Sequence, residues 1–117
     1  MNIKTSYFAA LNRIPDTYMP IAISRFTPKG TYLQRFIELA PPVWLLNKAK
    51  AGISNEQYRS LFFEHVLSKL SKEKVLQDLQ RLSYGKDIVL LCYEKPEDIC
   101  HRHYVAEWLG AEEIELC

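Results

Sequence analysis

From Leu90 the chain reads Leu90-Leu91-Cys92-Tyr93-Glu94-Lys95-Pro96-Glu97-Asp98-Ile99-Cys100-His101-Arg102-His103, an apolar run that leads directly into reactive side chains. Two thiols, two imidazoles and a guanidinium fall within a dozen residues. A thiol becomes a nucleophile when an arginine, an imidazole or a helix N-terminus lowers its pKa. Cys92 and Cys100 are therefore the candidate nucleophiles, and His101 is the candidate acid or base. Arg102 is a candidate anion holder with Glu94 to orient it. Arg25, at the end of the apolar stretch Ile21-Ala22-Ile23-Ser24, is a second anion holder if that stretch is a central parallel strand.

Helical periodicity sorts these residues. At 100 degrees per residue Arg102 points the same way as Val105, Ala106 and Leu109, the buried face. A guanidinium cannot shed its charge, so one on that face must be paired or must face a pocket, and Glu94 is the partner expected. Two readings stand side by side: a ligand site, or a salt bridge that only locks the loop. Cys92 divides in the same way, between a small core residue closing a strand and a thiolate.

A phosphatase loop would place roughly five residues, several of them glycine, between cysteine and arginine so that backbone amides cradle the oxyanion. Here nine residues separate Cys92 from Arg102 and none is glycine, so the loop fits a general anion site better. A zinc site could draw on Cys92, Cys100, His101 and His103, but the two separated pairs usual in structural zinc sites are absent. His103, Tyr104 and Glu107 read as a solvated helix surface, and His65 as a surface or boundary residue. Tyr93, Tyr32 and Trp44 are the aromatics available to stack on a nucleotide-like ligand.

The elements that must position these groups are legible along the chain. Extended segments are expected around Ile3 to Tyr7 and Pro20 to Arg25, with Pro15 and Asp16 marking a turn between them. Apolar residues at Leu33, Phe36, Ile37 and Leu39 fit a short helix over Thr31 to Leu39, ended by Pro41-Pro42. Val43 to Ala49 fits another. Ser54-Asn55-Glu56-Gln57 is a capping box that opens a helix with Tyr58, Leu61, Phe62, Val66 and Leu70 on one face. Ser71 opens the next, with Val75, Leu76, Leu79 and Leu82, and Gly85 closes the turn before the strand at Ile88 to Cys92. A helix from about Glu97 to Leu109, a stop at Gly110 and a strand at Glu113 to Leu116 complete a βαβ unit, whose pairing is expected to be parallel.

Composition narrows the functional classes. At 117 residues the chain fits one domain, residues 1–117, able to build a core without disulfides or metal. Its 15 basic and 14 acidic residues balance, so net charge does not support nucleic-acid binding, and any anion site is local. Three cysteines cannot all pair within one chain, which suits a reducing compartment, and a cytoplasmic location is expected. Neither a signal sequence nor an apolar run long enough for a bilayer is visible. No cofactor is expected.

The Leu90-Leu91-Cys92-Tyr93-Glu94-Lys95 strand end, with Cys100-His101-Arg102 and then Val105-Ala106-Glu107-Trp108-Leu109, resembles the uncharacterised family known as domain of unknown function 488. Ala22-Ile23-Ser24-Arg25 followed by Pro28 is similar to the family's early strand, while Lys4-Thr5-Ser6-Tyr7 retains only part of its Thr-Ile-Gly-Tyr opening. The resemblance implies a compact α/β domain of bacterial, archaeal or phage origin, with Arg25, Cys92, Glu94, Cys100, His101 and Arg102 at motif positions. It implies no established reaction.

The expected fold is thus a single α/β domain, a small and mainly parallel sheet flanked by helices. The expected function is binding of a small anionic or nucleotide-like ligand at the strand carboxyl ends, with cysteine- or histidine-assisted catalysis open. The competing readings are a noncatalytic interaction domain, in which the Cys-x-Glu to Cys-His-Arg segment is structural, and a Cys/His metal site.

Overall fold

A computed structural model describes residues 2–30, 32–93 and 101–110. Four strands form one sheet in the order β1-β4-β2-β3: β1 (Ile3–Tyr7), β2 (Tyr18–Ala22), β3 (Gln34–Arg35) and β4 (Asp87–Cys92). All neighbours pair in parallel, with Tyr7 opposite Cys92 and Ala22 opposite Leu91. The run Ile88 to Leu91 is wholly buried, as expected for a parallel strand covered on both faces.

The helices are α1 (Val43–Lys50), α2 (Asn55–His65), α3 (Lys72–Leu82) and α4 (His101–Leu109). Their buried residues, among them Leu45, Phe62, Leu79 and Val105, form one cluster with Ile21, Ile88 and Leu90 on a single side of the sheet. The other side is closed by Phe8, Ala22, Val89 and Leu91, with Leu11, Ile14 and Leu33 partly buried around them. Short 3-10 segments at Phe8–Arg13 and Leu67–Lys69 connect the larger elements.

The local signals act where they were read. Ser54 accepts from the Gln57 N–H while the Gln57 side chain accepts from the Ser54 N–H, completing the capping box of α2. Ser71 caps α3 through the Lys74 N–H. Gly85 sits at φ +82°, in the left-handed region that a side chain would strain, and turns the chain from α3 into β4.

One segment differs from expectation. The helix expected over Thr31 to Leu39 is instead the edge strand β3 followed by a single 3-10 turn at Ile37–Leu39. Phe36 and Leu39 are both buried, so the three-residue spacing correctly marks inward positions. The open edge of β2 decides the backbone: the Phe36 N–H donates to the Ala22 carbonyl at 2.9 Å. The strand expected at Glu113 to Leu116 and the first turn of the helix expected from Glu97 lie outside the described residues.

Because β4 is the strand most enclosed by others, Leu90→Ala is expected to cost about 2–5 kcal/mol of stability. Urea unfolding should show the loss as a lower midpoint at an unchanged slope.

Candidate functional site

The carboxyl ends of β2 and β4 lie side by side, and the ladder continues one residue beyond β2, where the Ile23 N–H donates to the Leu91 carbonyl at 3.0 Å. At Ile23 the carbonyl turns from the sheet to a side chain: His101 Nε2 lies 2.6 Å from it. A carbonyl only accepts, so Nε2 carries the proton and the neutral ring keeps its lone pair on Nδ1. The first residue of α4 is thereby joined to the end of β2.

His101 is buried, with the Phe62 ring 5.5 Å away between centroids. Burial holds its pKa down to about 4 from the usual 6.5; the Ile23 hydrogen bond opposes this, and the nearby Arg102 charge adds to it. At neutral pH the ring is uncharged.

Arg102, one position on, is the largest fully buried side chain, and Val105 and Ala106 on the same helical face are buried with it. Its Nη1 donates to Cys92 Sγ at 3.0 Å. Cys92 is fully buried and is half of a disulfide whose other cysteine lies outside the described residues. In that form it has no thiol to ionise, so a nucleophilic role needs the reduced protein. Glu94 and Cys100 also lie outside the described residues.

Beyond these strand ends opens a cavity of about 250 Å³. Its polar wall is Ser24, Arg25, Ser54, Asn55 and His101. Phe26, Leu46, Ile53, Tyr58 and Tyr93 supply most of its apolar wall. Arg25 is half-buried; its Nε donates to the Pro41 carbonyl at 3.2 Å, and its own carbonyl accepts from Arg35 Nη2 at 2.7 Å. The Ser24 hydroxyl bonds the Phe26 carbonyl and turns the chain after β2. The N-terminus of α2 borders the same space, and the amides of Asn55 and Glu56 have no acceptor within the helix.

The expected site residues therefore separate into two layers. Arg25 and His101 line the cavity, whereas Arg102 and Cys92 lie buried and do not line it. Of the aromatics expected to stack, Tyr93 lines the cavity; Tyr32 is almost fully exposed elsewhere, and Trp44 packs edge-on against His65. Tyr58, expected only as core, also faces the cavity, and Phe26 was not anticipated. Its position after β2 parallels that of Tyr93 after β4, a correspondence visible once both strands are placed.

The helix surface expected at His103, Tyr104 and Glu107 holds only for Glu107, which pairs with Arg59 of α2 at 2.7 Å. His103 and Tyr104 are half-buried, and the Tyr104 ring meets Tyr58, Phe62 and Phe63 at 6.1–6.4 Å. Among the described residues no group of three His, Cys, Asp or Glu side chains converges to hold a metal ion. No helix among them is long and apolar enough to cross a membrane.

Residues 8–113 match the family model DUF488-N3a, described as the active DUF488-N3 subclade. The chain belongs to the DUF488 family. Neither the curated proteins nor the solved structures give a match. The span of this DUF488 match takes in both strand ends, the capping box of α2 and the Cys-His-Arg triplet, so the cavity and the buried layer beneath it belong to one family domain.

Two outcomes follow for this DUF488 chain. Between pH 6.5 and about 4 the unfolded protein protonates His101 while the native protein does not, so lowering the pH favours unfolding. The loss should approach about 3 kcal/mol at pH 4, and the difference between native and His101→Gln urea curves should slope only in that window. Separately, titration of thiols in the unfolded chain should find one before reduction and three after it, because the Cys92 disulfide takes two of the three cysteines.

Proposed function

We propose that this chain binds a small anionic, nucleotide-like ligand in the cavity at the carboxyl ends of β2 and β4. The observation that carries the reading is the meeting of Arg25, the first turn of α2 and a neutral His101 in one mostly apolar space. Crevices outside strand carboxyl ends are the usual ligand positions of open α/β sheets, and a helix N-terminus with a nearby cation favours an anion. Arg25 is the charged group for this role. It is the one ionised side chain in the wall among the described residues, and its Nε bond to Pro41 holds it at the cavity.

His101 contributes in its neutral form. With a pKa of about 4 it is a weak base at pH 7. An anion arriving beside it would favour the protonated ring and raise its basicity, which would suit a proton transfer coupled to binding. The family model's description as an active subclade is in keeping with chemistry somewhere in the domain. Cys92, once reduced, and Cys100 remain the candidate nucleophiles, with the Arg102 guanidinium placed to favour a Cys92 thiolate.

Arg102 and Cys92 also favour a second, structural reading of the triplet: the buried guanidinium against sulfur would fix the strand end to α4, leaving ligand contact to other residues. A thermal-shift screen against nucleotides, sugar phosphates, simple oxyanions and zinc separates these possibilities. A nucleotide at a hundred times its Kd should stabilise the native protein by about 2.7 kcal/mol, a rise of several degrees in Tm. Arg25→Ala should keep a near-native Tm and lose the shift. Arg102→Ala should lower the Tm of the free protein, since truncating the largest fully buried side chain leaves a cavity that costs about 2–5 kcal/mol. A shift with zinc alone would favour the metal reading, and no shift with any compound would favour the interaction domain.

A further inference from the structure

The aromatic side of the cavity allows a narrower statement, which rests on the anion-site reading above. Phe26 and Tyr93 are 62% and 48% exposed, although both line the cavity. Each follows a strand end, Tyr93 immediately after β4 and Phe26 four residues after β2. Tyr93 rests edge-on against Phe8 at 4.9 Å between centroids, and the Ser24 hydroxyl fixes the backbone at Phe26. Two large rings on the wall of one cavity, both partly open to solvent, offer π-faces, an arrangement that suits a flat ring as guest.

Size and charge limit the rest of the guest. About 250 Å³ is smaller than the usual 300–1,000 Å³ of pockets for drug-sized ligands, so the space suits one ring system with a short polar extension. Among the described residues Arg25 is the ionised side chain of the wall, and one guanidinium matches one phosphate group. A single cation and two exposed rings around one small cavity match a ring joined to a single phosphate.

We propose that the ligand is a nucleoside monophosphate whose base stacks on the Phe26 and Tyr93 rim and whose phosphate is held by Arg25 and the first turn of α2. The phosphate gives the charge recognition and the base gives the selection against free phosphate. Stacking tolerates any base, so purine and pyrimidine monophosphates are both accepted.

Isothermal titration of the intact chain with AMP, UMP, ATP, adenosine and inorganic phosphate tests this. AMP and UMP should bind, with ATP no tighter, and with adenosine and phosphate each at least about ten-fold weaker. Phe26→Ala and Tyr93→Ala should weaken AMP about ten- to a hundred-fold. Tyr93→Phe should retain AMP, and circular dichroism should report native folding for each variant. If phosphate binds as tightly as AMP and the rim variants change nothing, the base-stacking proposal fails while the anion site survives. If adenosine binds as tightly as AMP and Arg25→Ala is neutral, the anion site itself fails. If none of the five compounds binds, both are overturned.

Discussion

The hydrogen bond between His101 and the Ile23 carbonyl is the link on which the rest of the site depends. A parallel strand ends with a carbonyl that has no further ladder partner, and a buried one left unmet would cost roughly 1–3 kcal/mol. Here the imidazole at the start of α4 meets it, at 2.6 Å. That contact fixes three things together: how the ladder of β2 ends, where α4 sits against it, and which nitrogen of His101 holds the proton. Ser24, Arg25 and Phe26, which border the cavity after β2, follow directly from Ile23. The cost is electrostatic, because a ring buried deeply enough to make this bond is held uncharged down to about pH 4.

Beneath this link a second constraint acts. Arg102 is wholly buried and always charged, so its surroundings must be polar and fixed. Cys92 Sγ supplies one acceptor at the end of the central strand. The charge also bears on His101, where it disfavours protonation. The two adjacent residues of α4 are therefore coupled. One carries a permanent charge below the strand ends, and the other is kept neutral above them in part by that charge.

Much of this was legible before any coordinate. Strand β4 is a continuous apolar run, α2 and α3 announce their starts with serine caps, and the burial of Arg102 follows from counting helical positions from Leu109. What escaped depends on contacts distant in sequence. The edge strand β3 exists because β2 has an open side, and nothing in Leu33 to Leu39 reports that. Tyr104 looked solvated because its local neighbours are polar, yet α2 brings Tyr58, Phe62 and Phe63 to meet it. For Arg102 the sequence leaves a ligand role and a structural role side by side. Helical phase shows that it faces inward, but it does not show whether a cavity lies there.

That last ambiguity has a physical resolution. An arginine that binds an exchangeable anion must pass between a solvated and a paired state, so some exposure lowers its cost of waiting empty. Arg25 is half-buried and steadied by a backbone carbonyl, which leaves its remaining donors able to exchange water for a ligand. Arg102 has no exposure and could not take up water whenever a ligand left it. The arginine of the more conspicuous motif is thus suited to permanent contacts. The less conspicuous one, three residues past a short strand, keeps the solvent contact on which the proposed reversible binding would draw.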